Sequence, residues 1–127
     1  MMKIRKASAR DWPGIKKLIG ANPETLMQKH LPKAGDFFVA IEGGAVVGCC
    51  ALAIYSKRMG EVRSLAVAKK FQGKGIATSL IKACLASAKK RRVYEIFTVT
   101  GAKRLFEKSG FGTFKEEKYA LIKILGE

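Results

Sequence analysis

The chain has 127 residues, of which 25 are lysine or arginine and 10 are aspartate or glutamate, so its formal net charge is +15 at pH 7. A chain of this length usually forms one domain, and a 48% share of hydrophobic residues is typical of a folded protein. Composition therefore excludes a disordered basic tail, and we expect a single domain over residues 1–127.

The sequence predicts neither a membrane span nor a secreted protein. Its longest stretch without a charged residue, 43–56, is shorter than the roughly 20 apolar residues that a spanning helix needs. The first residues lack the apolar core of a secretion signal. We therefore expect a cytoplasmic location and no membrane partner.

The three cysteines predict neither a disulfide framework nor a metal site. Cys49 and Cys50 are adjacent, Cys84 is distant, and no pair has the C-x-x-C spacing of zinc ligands. Neighbouring residues of a strand point to opposite faces, so Cys49 and Cys50 are interpreted as small core residues on two sides of one sheet. The single histidine, His30, is interpreted as an ordinary surface or core residue.

The first predicted elements are a strand and a helix. Residues 3–6 alternate an apolar residue with charged ones, which is typical of a terminal strand. Ser8 is a plausible N-cap, with Asp11 three residues later as its capping-box partner. Apolar residues then recur at helical spacing until Gly20, which is predicted to end the helix.

A second helix and a hairpin are predicted next. Asn22, followed by a proline and an acid, is typical of an N-cap and predicts a short helix that ends before Pro32. Strands are predicted over residues 36–42 and 45–55, with Gly43-Gly44 as the two-residue turn between them.

The second half of the chain contains the longest predicted helix. Its apolar residues recur at helical spacing from Ile76 to Ala88, and four basic residues at its carboxyl end suit the helix dipole. The whole pattern predicts an α+β fold with a central mixed sheet, helices on its faces and one strand–helix–strand (βαβ) unit. The other predicted elements are strands over residues 60–67, 93–98, 111–114 and 119–125, and a short helix over residues 102–109.

A glycine-containing segment, Gln72-Gly73-Lys74-Gly75-Ile76-Ala77, precedes the longest helix. Glycines at a helix start let backbone N–H groups converge on an anion, and the helix dipole favours phosphate there. The segment is a candidate phosphate loop, and a plain strand-to-helix turn is the alternative. The G-x-x-x-x-G-K-[ST] nucleotide motif is excluded by its spacing. A dinucleotide fingerprint would need glycine at Thr78, and only the position of Glu95 as a ribose-binding acid favours it.

Two motifs at the right separation make the sequence resemble the Gcn5-related N-acetyltransferase (GNAT) superfamily. Gln72, Gly75 and Ala77 match that family's acetyl-CoA signature, [QR]-x-x-G-x-[GA]. Residues 102–111 are similar to the family's A-x-x-[LF]-[YF]-x-K-x-G-F segment, and the order of predicted elements is similar over nearly the whole chain. The resemblance implies a mostly antiparallel sheet, an acetyl-CoA-dependent enzyme without a metal, and homodimers as a common assembly.

The resemblance also implies that acetyl-CoA, the co-substrate, lies in a cleft where the strand 60–67 separates from the next strand. The backbone of Leu65, Ala66 and Val67 would hold the pantetheine arm, and Phe106 would pack on it. Backbone N–H groups would surround the pyrophosphate from Gln72, Gly73, Lys74, Gly75, Ile76, Ala77 and Thr78. Two lysines are candidates for neutralising the CoA phosphates, Lys74 and Lys108.

The candidate catalytic groups are Glu61 and the backbone of Leu65. An alkyl ammonium has a pKa of about 10, so a base must remove a proton from the acceptor before attack at neutral pH. The segment here resembles the family strand in which a glutamate precedes by four residues the N–H that polarises the thioester carbonyl. Glu61 is therefore the candidate base, with a solvated acid at a strand end as the alternative. Leu65 N–H would stabilise the oxyanion.

Arg63 lies two residues from Glu61 and therefore projects from the same face of the strand. It is a candidate for binding a carboxylate of the acceptor, and an ion pair with Glu61 is the alternative. Phe106 stands where many family members have a tyrosine that protonates the departing thiolate. The general acid is therefore unassigned, with Tyr119 and Ser109 as the substitutes to consider.

The acceptor is predicted from a narrower resemblance. The missing tyrosine, the strand 60–67 and the run 97–100 resemble acetyltransferase domains of the N-acetylglutamate synthase type, which implies an amino acid such as glutamate. Polyamines, aminoglycosides and a protein N-terminus or lysine on an acidic or RNA-associated partner are the alternatives. A pI near 10.1 also suits a nucleic-acid-binding module, but the basic residues are dispersed and the aromatics lie in apolar runs. We do not expect nucleic acid as the main partner.

Overall fold

A five-stranded mixed sheet forms the centre of the computed structural model, which describes residues 2–126. The strands lie side by side in chain order, and every neighbouring pair is antiparallel except the last, which is parallel. The predicted α+β fold with a mostly antiparallel sheet and one βαβ unit is confirmed. The strands are β1 (Lys3–Lys6), β2 (Phe37–Glu42), β3 (Ala45–Ile54), β4 (Met59–Val67) and β5 (Glu95–Phe97), and the helices are α1 (Trp12–Gly20), α2 (Ile76–Lys90) and α3 (Lys103–Glu107).

Helix α1 follows a cap that the sequence predicted. The backbone N–H of Ser8 donates to the Asp11 carboxylate at 2.7 Å, and the Ser8 hydroxyl donates to it at 3.2 Å. Arg5 on β1 donates two more hydrogen bonds to Asp11, at 2.8 and 3.0 Å. These donors, Arg5 first, hold the pKa of Asp11 at about 2 although burial opposes the shift. The cap therefore also ties the helix start to the edge of the sheet.

The sheet has an apolar layer on each face, with α1 over one face and α2 over the other. Cys49 packs in the layer beneath α1 and Cys50 in the layer beneath α2, which confirms their predicted opposite directions. Cys84 of α2 joins the second layer and donates to the carbonyl of Cys50 at 3.7 Å. All three thiols are free and buried, and burial raises the pKa of Cys49 to about 12.

The turns explain where the central elements begin and end. Gly43 and Gly44 have φ values of 58° and 79°, so the predicted hairpin turn is confirmed in the left-handed conformation that glycine favours. Strand β5 is shorter than the predicted 93–98 because Val93 takes part in the turn that caps the end of α2. Its N–H donates to the carbonyl of Ala88 at 2.9 Å, beside Arg92 at a φ of 61°. No helix within residues 2–126 is long and apolar enough to cross a membrane.

The predicted short helix over residues 22–31 is wrong, because this segment consists of turns. Asn22 closes α1 instead of opening a new helix: its side-chain amide donates to the carbonyl of Leu18 at 2.9 Å. Gln28 donates to the carbonyls of Ile19 and Leu26, at 2.9 and 3.0 Å. These side-chain bonds fold the segment back on the end of α1.

The predicted closing strands over residues 111–114 and 119–125 are also wrong, since no described residue beyond β5 lies in a strand. Phe111 is drawn inward instead, edge-on to Phe106 at 5.3 Å between ring centroids, and its N–H donates to the Phe106 carbonyl. The later apolar side chains face solvent, with Leu121 91% exposed. An alternating pattern forms a strand only where another strand supplies hydrogen-bonding partners, and none pairs with this segment.

Candidate active site

A cleft opens where β4 and β5 separate. The two strands pair in parallel from Met59 opposite Glu95 to Glu61 opposite Phe97, and their ladder then ends. Beyond that point the Thr98 hydroxyl still donates to the Val62 carbonyl at 2.8 Å. A cavity of about 440 Å³ lies between the diverging chains, lined by Arg63, Ser64, Leu65, Thr98, Thr100 and Phe106 among others.

A β-bulge shapes the β4 side of this cavity. Cys49 of β3 faces Ala66 and Ala51 faces Arg63, so β4 has one residue more than β3 between these pairs. Ser64 and Leu65 have no register partner, and Ser64 has a φ of 56°, which is unusual for a residue other than glycine. A bulge bends its strand and redirects backbone groups. In β4 the bulge redirects the backbone at Leu65, whose N–H group is the predicted oxyanion donor.

Glu61 and Arg63 share one face of β4, as predicted, while the alternate residue Val62 is buried beneath α2. Within the described chain no ion pair joins Glu61 to Arg63. The guanidinium of Arg63 instead donates to the sulfur of Met27 at 3.6 Å, which places it beneath the 22–31 turns. Thr25 and Leu26 of those turns line the cavity as well, so the segment forms part of the cleft wall.

Tyr55 is a site residue that sequence reasoning missed. It directly follows β3, and its hydroxyl donates to Oε1 of Glu61 at 2.5 Å. Burial and the Glu61 carboxylate raise the pKa of Tyr55, and Arg63 opposes the shift. The alternation of β3 was the available signal, because Ala53 faces Glu61 in register and Tyr55 lies two residues further on the same face.

The candidate phosphate loop lies directly before α2. Gly73 and Gly75 have φ values of 77° and 83°, and a Cβ at either position would meet no atom within 4 Å. Helix α2 starts after Gly75, and its first-turn N–H groups have no acceptor within the helix. The side chain of Gln72 donates to the carbonyl of Val67 at 3.0 Å, which ties the loop to the end of β4.

The first-turn N–H groups that have no acceptor within the helix belong to Ile76, Ala77 and Thr78. Lys74 lies over the ring of Phe71, at 5.5 Å from its centroid. Glu95, the acid of the dinucleotide alternative, pairs instead with Arg58 at 2.7 Å, where β5 begins. The loop therefore suits a phosphate ligand without the ribose acid of a dinucleotide site.

The leaving-group side of the cleft has hydroxyls but no tyrosine. Phe106 lines the cavity and is only 4% exposed. Tyr119 is 70% exposed, and the buried hydroxyl of Ser109 has no hydrogen-bond partner among the described residues. Thr98 and Thr100, which the sequence analysis did not name as site residues, are among the residues with hydroxyl groups that line the cavity. The Thr100 hydroxyl accepts a hydrogen bond from the N–H of Ala102 at 2.9 Å.

Comparison with known proteins decides the family. The model of the Acetyltransferase (GNAT) family matches residues 2–111. The chain belongs to the GNAT family. It is therefore an acetyl-CoA-dependent N-acetyltransferase, and the resemblance drawn from its two motifs is confirmed.

Two curated relatives and one solved structure place the chain within this family. An uncharacterized N-acetyltransferase of Chlorobaculum tepidum is 38% identical over 122 residues, covering 91% of this chain and 79% of the relative. An amino-acid acetyltransferase of Mycobacterium tuberculosis is 30% identical over 116 residues, which cover 85% of this chain and 67% of the relative. The N-acetylglutamate synthase of Neisseria gonorrhoeae, solved with coenzyme A and L-arginine, is 25% identical with a TM-score of 0.78. That similarity covers 94% of this chain but 29% of the synthase chain.

Proposed function

We propose that this GNAT enzyme transfers the acetyl group of acetyl-CoA to the amine of a free amino acid, with glutamate as the first candidate acceptor. The observation that carries the proposal is the arginine at the cleft. Arg63 lines the cavity, forms no ion pair with a described residue, and lies two residues from the candidate base, Glu61. The names of an amino-acid acetyltransferase and an N-acetylglutamate synthase among the similar proteins support an amino acid.

Acetyl-CoA would lie along the unpaired part of β4. Its pantetheine arm would take the place of a neighbouring strand against the backbone of Leu65, Ala66 and Val67, with Phe106 packed on it. The pyrophosphate would bind the N–H groups that precede and open α2, where Gly73 and Gly75 leave room for close approach. Lys74 and Lys108 would neutralise part of the phosphate charge. The similar Neisseria synthase was solved with coenzyme A, which supports binding of this cofactor by the fold.

The chemistry follows from the groups at the cleft. Glu61 would accept a proton from the acceptor ammonium, and the free amine would attack the thioester carbonyl carbon. Leu65 N–H would donate to the oxygen that becomes negatively charged in the tetrahedral intermediate. Collapse of the intermediate would then break the carbon–sulfur bond and release the CoA thiolate, and the nitrogen would lose its extra proton to solvent to leave a neutral amide. A thiolate is a tolerable leaving group because its thiol has a pKa of about 8.5.

The size and cover of the cavity support a small acceptor. A volume of about 440 Å³ is within the usual range of small-molecule sites, roughly 300–1,000 Å³. The turns at residues 22–31 cover the same side of the cleft and hold Arg63 beneath Met27. A guanidinium in such a place binds a carboxylate with two parallel hydrogen bonds.

A panel of amines tests this proposal. The rate of thiol release from acetyl-CoA would be measured with glutamate, aspartate, glutamine, neutral amino acids, a polyamine, an aminoglycoside and a peptide with a free N-terminus. We expect the highest kcat/KM with an acidic amino acid. A peptide or a polyamine as the best acceptor would contradict the amino-acid assignment and leave the family assignment intact.

Cofactor binding is tested separately by thermal unfolding. Acetyl-CoA should raise the Tm in a saturable manner, because a ligand that binds only the folded state stabilises it. RNA serves as the comparison ligand in view of the +15 charge. A Tm unmoved by millimolar acetyl-CoA together with tight binding of RNA would favour the nucleic-acid alternative.

A further inference from the structure

Tyr55 contacts the candidate base from the neighbouring strand. Its hydroxyl donates to Oε1 of Glu61 at 2.5 Å, while Oε2 of Glu61 accepts no hydrogen bond from any residue between 2 and 126. The tyrosine ring lies against Phe97 of β5, with 6.2 Å between centroids and 35° between ring planes. Tyr55 therefore holds one carboxylate oxygen and leaves the other free.

The charged residues near Glu61 on β4 and β5 form no ion pair with it among the described residues, although Arg63 acts on its partner Tyr55. Arg63 lies two residues further along β4 and reaches towards Met27 rather than forming an ion pair with Glu61. On β5 the register partner of Glu61 is the apolar Phe97. The nearest acid on that strand, Glu95, is paired with Arg58 at 2.7 Å. Tyr55 is thus the group that bonds directly to the carboxylate.

We propose that Tyr55 is a positioning residue for the catalytic base: its hydroxyl fixes Oε1 of Glu61 and leaves Oε2 to receive the proton of the acceptor ammonium. This inference rests on the proposed function of Glu61. Fixing a long side chain in advance reduces the ordering needed in the transition state.

Two features keep the tyrosine in this role. Burial and the neighbouring carboxylate raise the pKa of Tyr55, so its hydroxyl retains the proton that it donates throughout the neutral range. The contact with Phe97 restricts the ring, although 54% of the surface of residue Tyr55 is exposed. The Tyr55→Phe variant keeps the ring contact and removes only the donor.

Carboxyl NMR on glutamate-labelled protein tests the inference without any acceptor. The Glu61 carboxyl signal is assigned by its loss in Glu61→Gln, and its chemical shift is recorded at one neutral pH. Tyr55→Phe should move that signal, because the carboxylate loses its hydrogen bond at Oε1 while the ring contact is kept. Tyr94→Phe is the matched control and should leave the signal in place, because Tyr94 is 69% exposed and has no side-chain hydrogen bond to a described residue. An unmoved Glu61 signal in Tyr55→Phe would overturn the inference.

The rate profile tests the same inference on activity, with the best amine of the panel as acceptor. In Tyr55→Phe, kcat at neutral pH should fall by about tenfold, because the proposed base is no longer held in place. KM for acetyl-CoA should stay within about twofold, and Tyr55→Phe should have no further effect in a Glu61→Gln background. If Glu61→Gln keeps full activity, the proposed base is wrong. If Glu61→Gln loses activity and Tyr55→Phe keeps the wild-type profile, only the positioning role is wrong.

Discussion

Two arginine–carboxylate groupings in this molecule use the same chemical groups in opposite ways. At the start of α1, Asp11 accepts two hydrogen bonds from Arg5 and two from Ser8. At the cleft, Glu61 accepts one hydrogen bond from Tyr55, and Arg63 forms no ion pair with it. The first carboxylate is saturated and buried. The second keeps one oxygen without a described hydrogen bond, and the neighbouring Arg63 forms no ion pair, which suits the proposed acceptor with an ammonium and a carboxylate.

The comparison separates a carboxylate that stabilises the fold from one that is available to a substrate. Asp11 is 7% exposed and has its pKa held at about 2, so it stays ionised and fully bonded. Such a group has no free position for a proton from a substrate. Three substitutions and one pH dependence test the distinction, in order of decreasing expected effect.

The largest expected effect is on the rate of acetyl transfer by Glu61→Gln. Loss of a positioned general base typically lowers kcat by about 10²–10⁴-fold. The free energy of unfolding should hardly change, because Glu61 has a single described side-chain hydrogen bond. Rates measured across pH check this, with the exposed Glu107→Gln on α3 as the control. Full activity of Glu61→Gln at every pH would show that another group acts as the base.

The next effect concerns substrate binding through Arg63. Arg63→Ala should raise KM for acidic acceptors by about 10–100-fold, because a bidentate ion pair to a carboxylate is lost. KM for acceptors without a second carboxylate should rise less. Arg91→Ala, at the exposed end of α2, is the matched control. Equal changes for acidic and neutral acceptors would contradict a role in reading the acidic side chain.

Asp11→Asn should act on stability and not on chemistry. It weakens a buried site that accepts four hydrogen bonds, so we expect a loss of about 1–3 kcal/mol in the free energy of unfolding. Urea unfolding measures the loss, and kcat of the folded variant should match the wild type. Asp36→Asn is the control, since Asp36 has no described side-chain hydrogen bond. A large fall in kcat with unchanged stability would reverse the roles assigned to the two groupings.

The smallest expected effect is the pH dependence of that loss. Because the folded state lowers the pKa of Asp11 from its ordinary 3.8 to about 2, its contribution is complete above about pH 5. The contribution is lost as the pH falls towards 2, since protonation then occurs in both states. The difference in unfolding free energy between the wild type and Asp11→Asn should therefore shrink over that interval. A difference that stays constant down to pH 2 would contradict the ion pair.

The features that sequence predicted well depend on neighbours in the chain. The Ser8–Asp11 cap, the Gly43-Gly44 turn and the apolar face of α2 are specified by residues within a few positions of one another. The glycine conformations of the loop before α2 belong to the same class, because they depend only on residues next to the helix start. Such local patterns were sufficient for the family assignment.

The features that sequence did not predict depend on distant partners. Asn22 was interpreted as the start of a helix because its alternative acceptor, the Leu18 carbonyl, lies in the preceding helix. The 119–125 pattern is that of a strand, but strand formation is decided by a partner edge that the pattern itself does not specify. The bond between Tyr55 and Glu61 crosses from β3 to β4, so it needed the register of the sheet.

The burial of the three cysteines has a practical consequence for following the reaction. A thiol reacts with disulfide reagents as its thiolate, and burial both hides Cys49 and raises its pKa to about 12. Cys50 and Cys84 are equally enclosed between the sheet and α2. A colour reagent that detects released CoA will therefore report the product alone while the chain is folded. A slow additional rise in colour, independent of acetyl-CoA, would show that the two apolar layers are opening and that the cysteines have become accessible to the reagent.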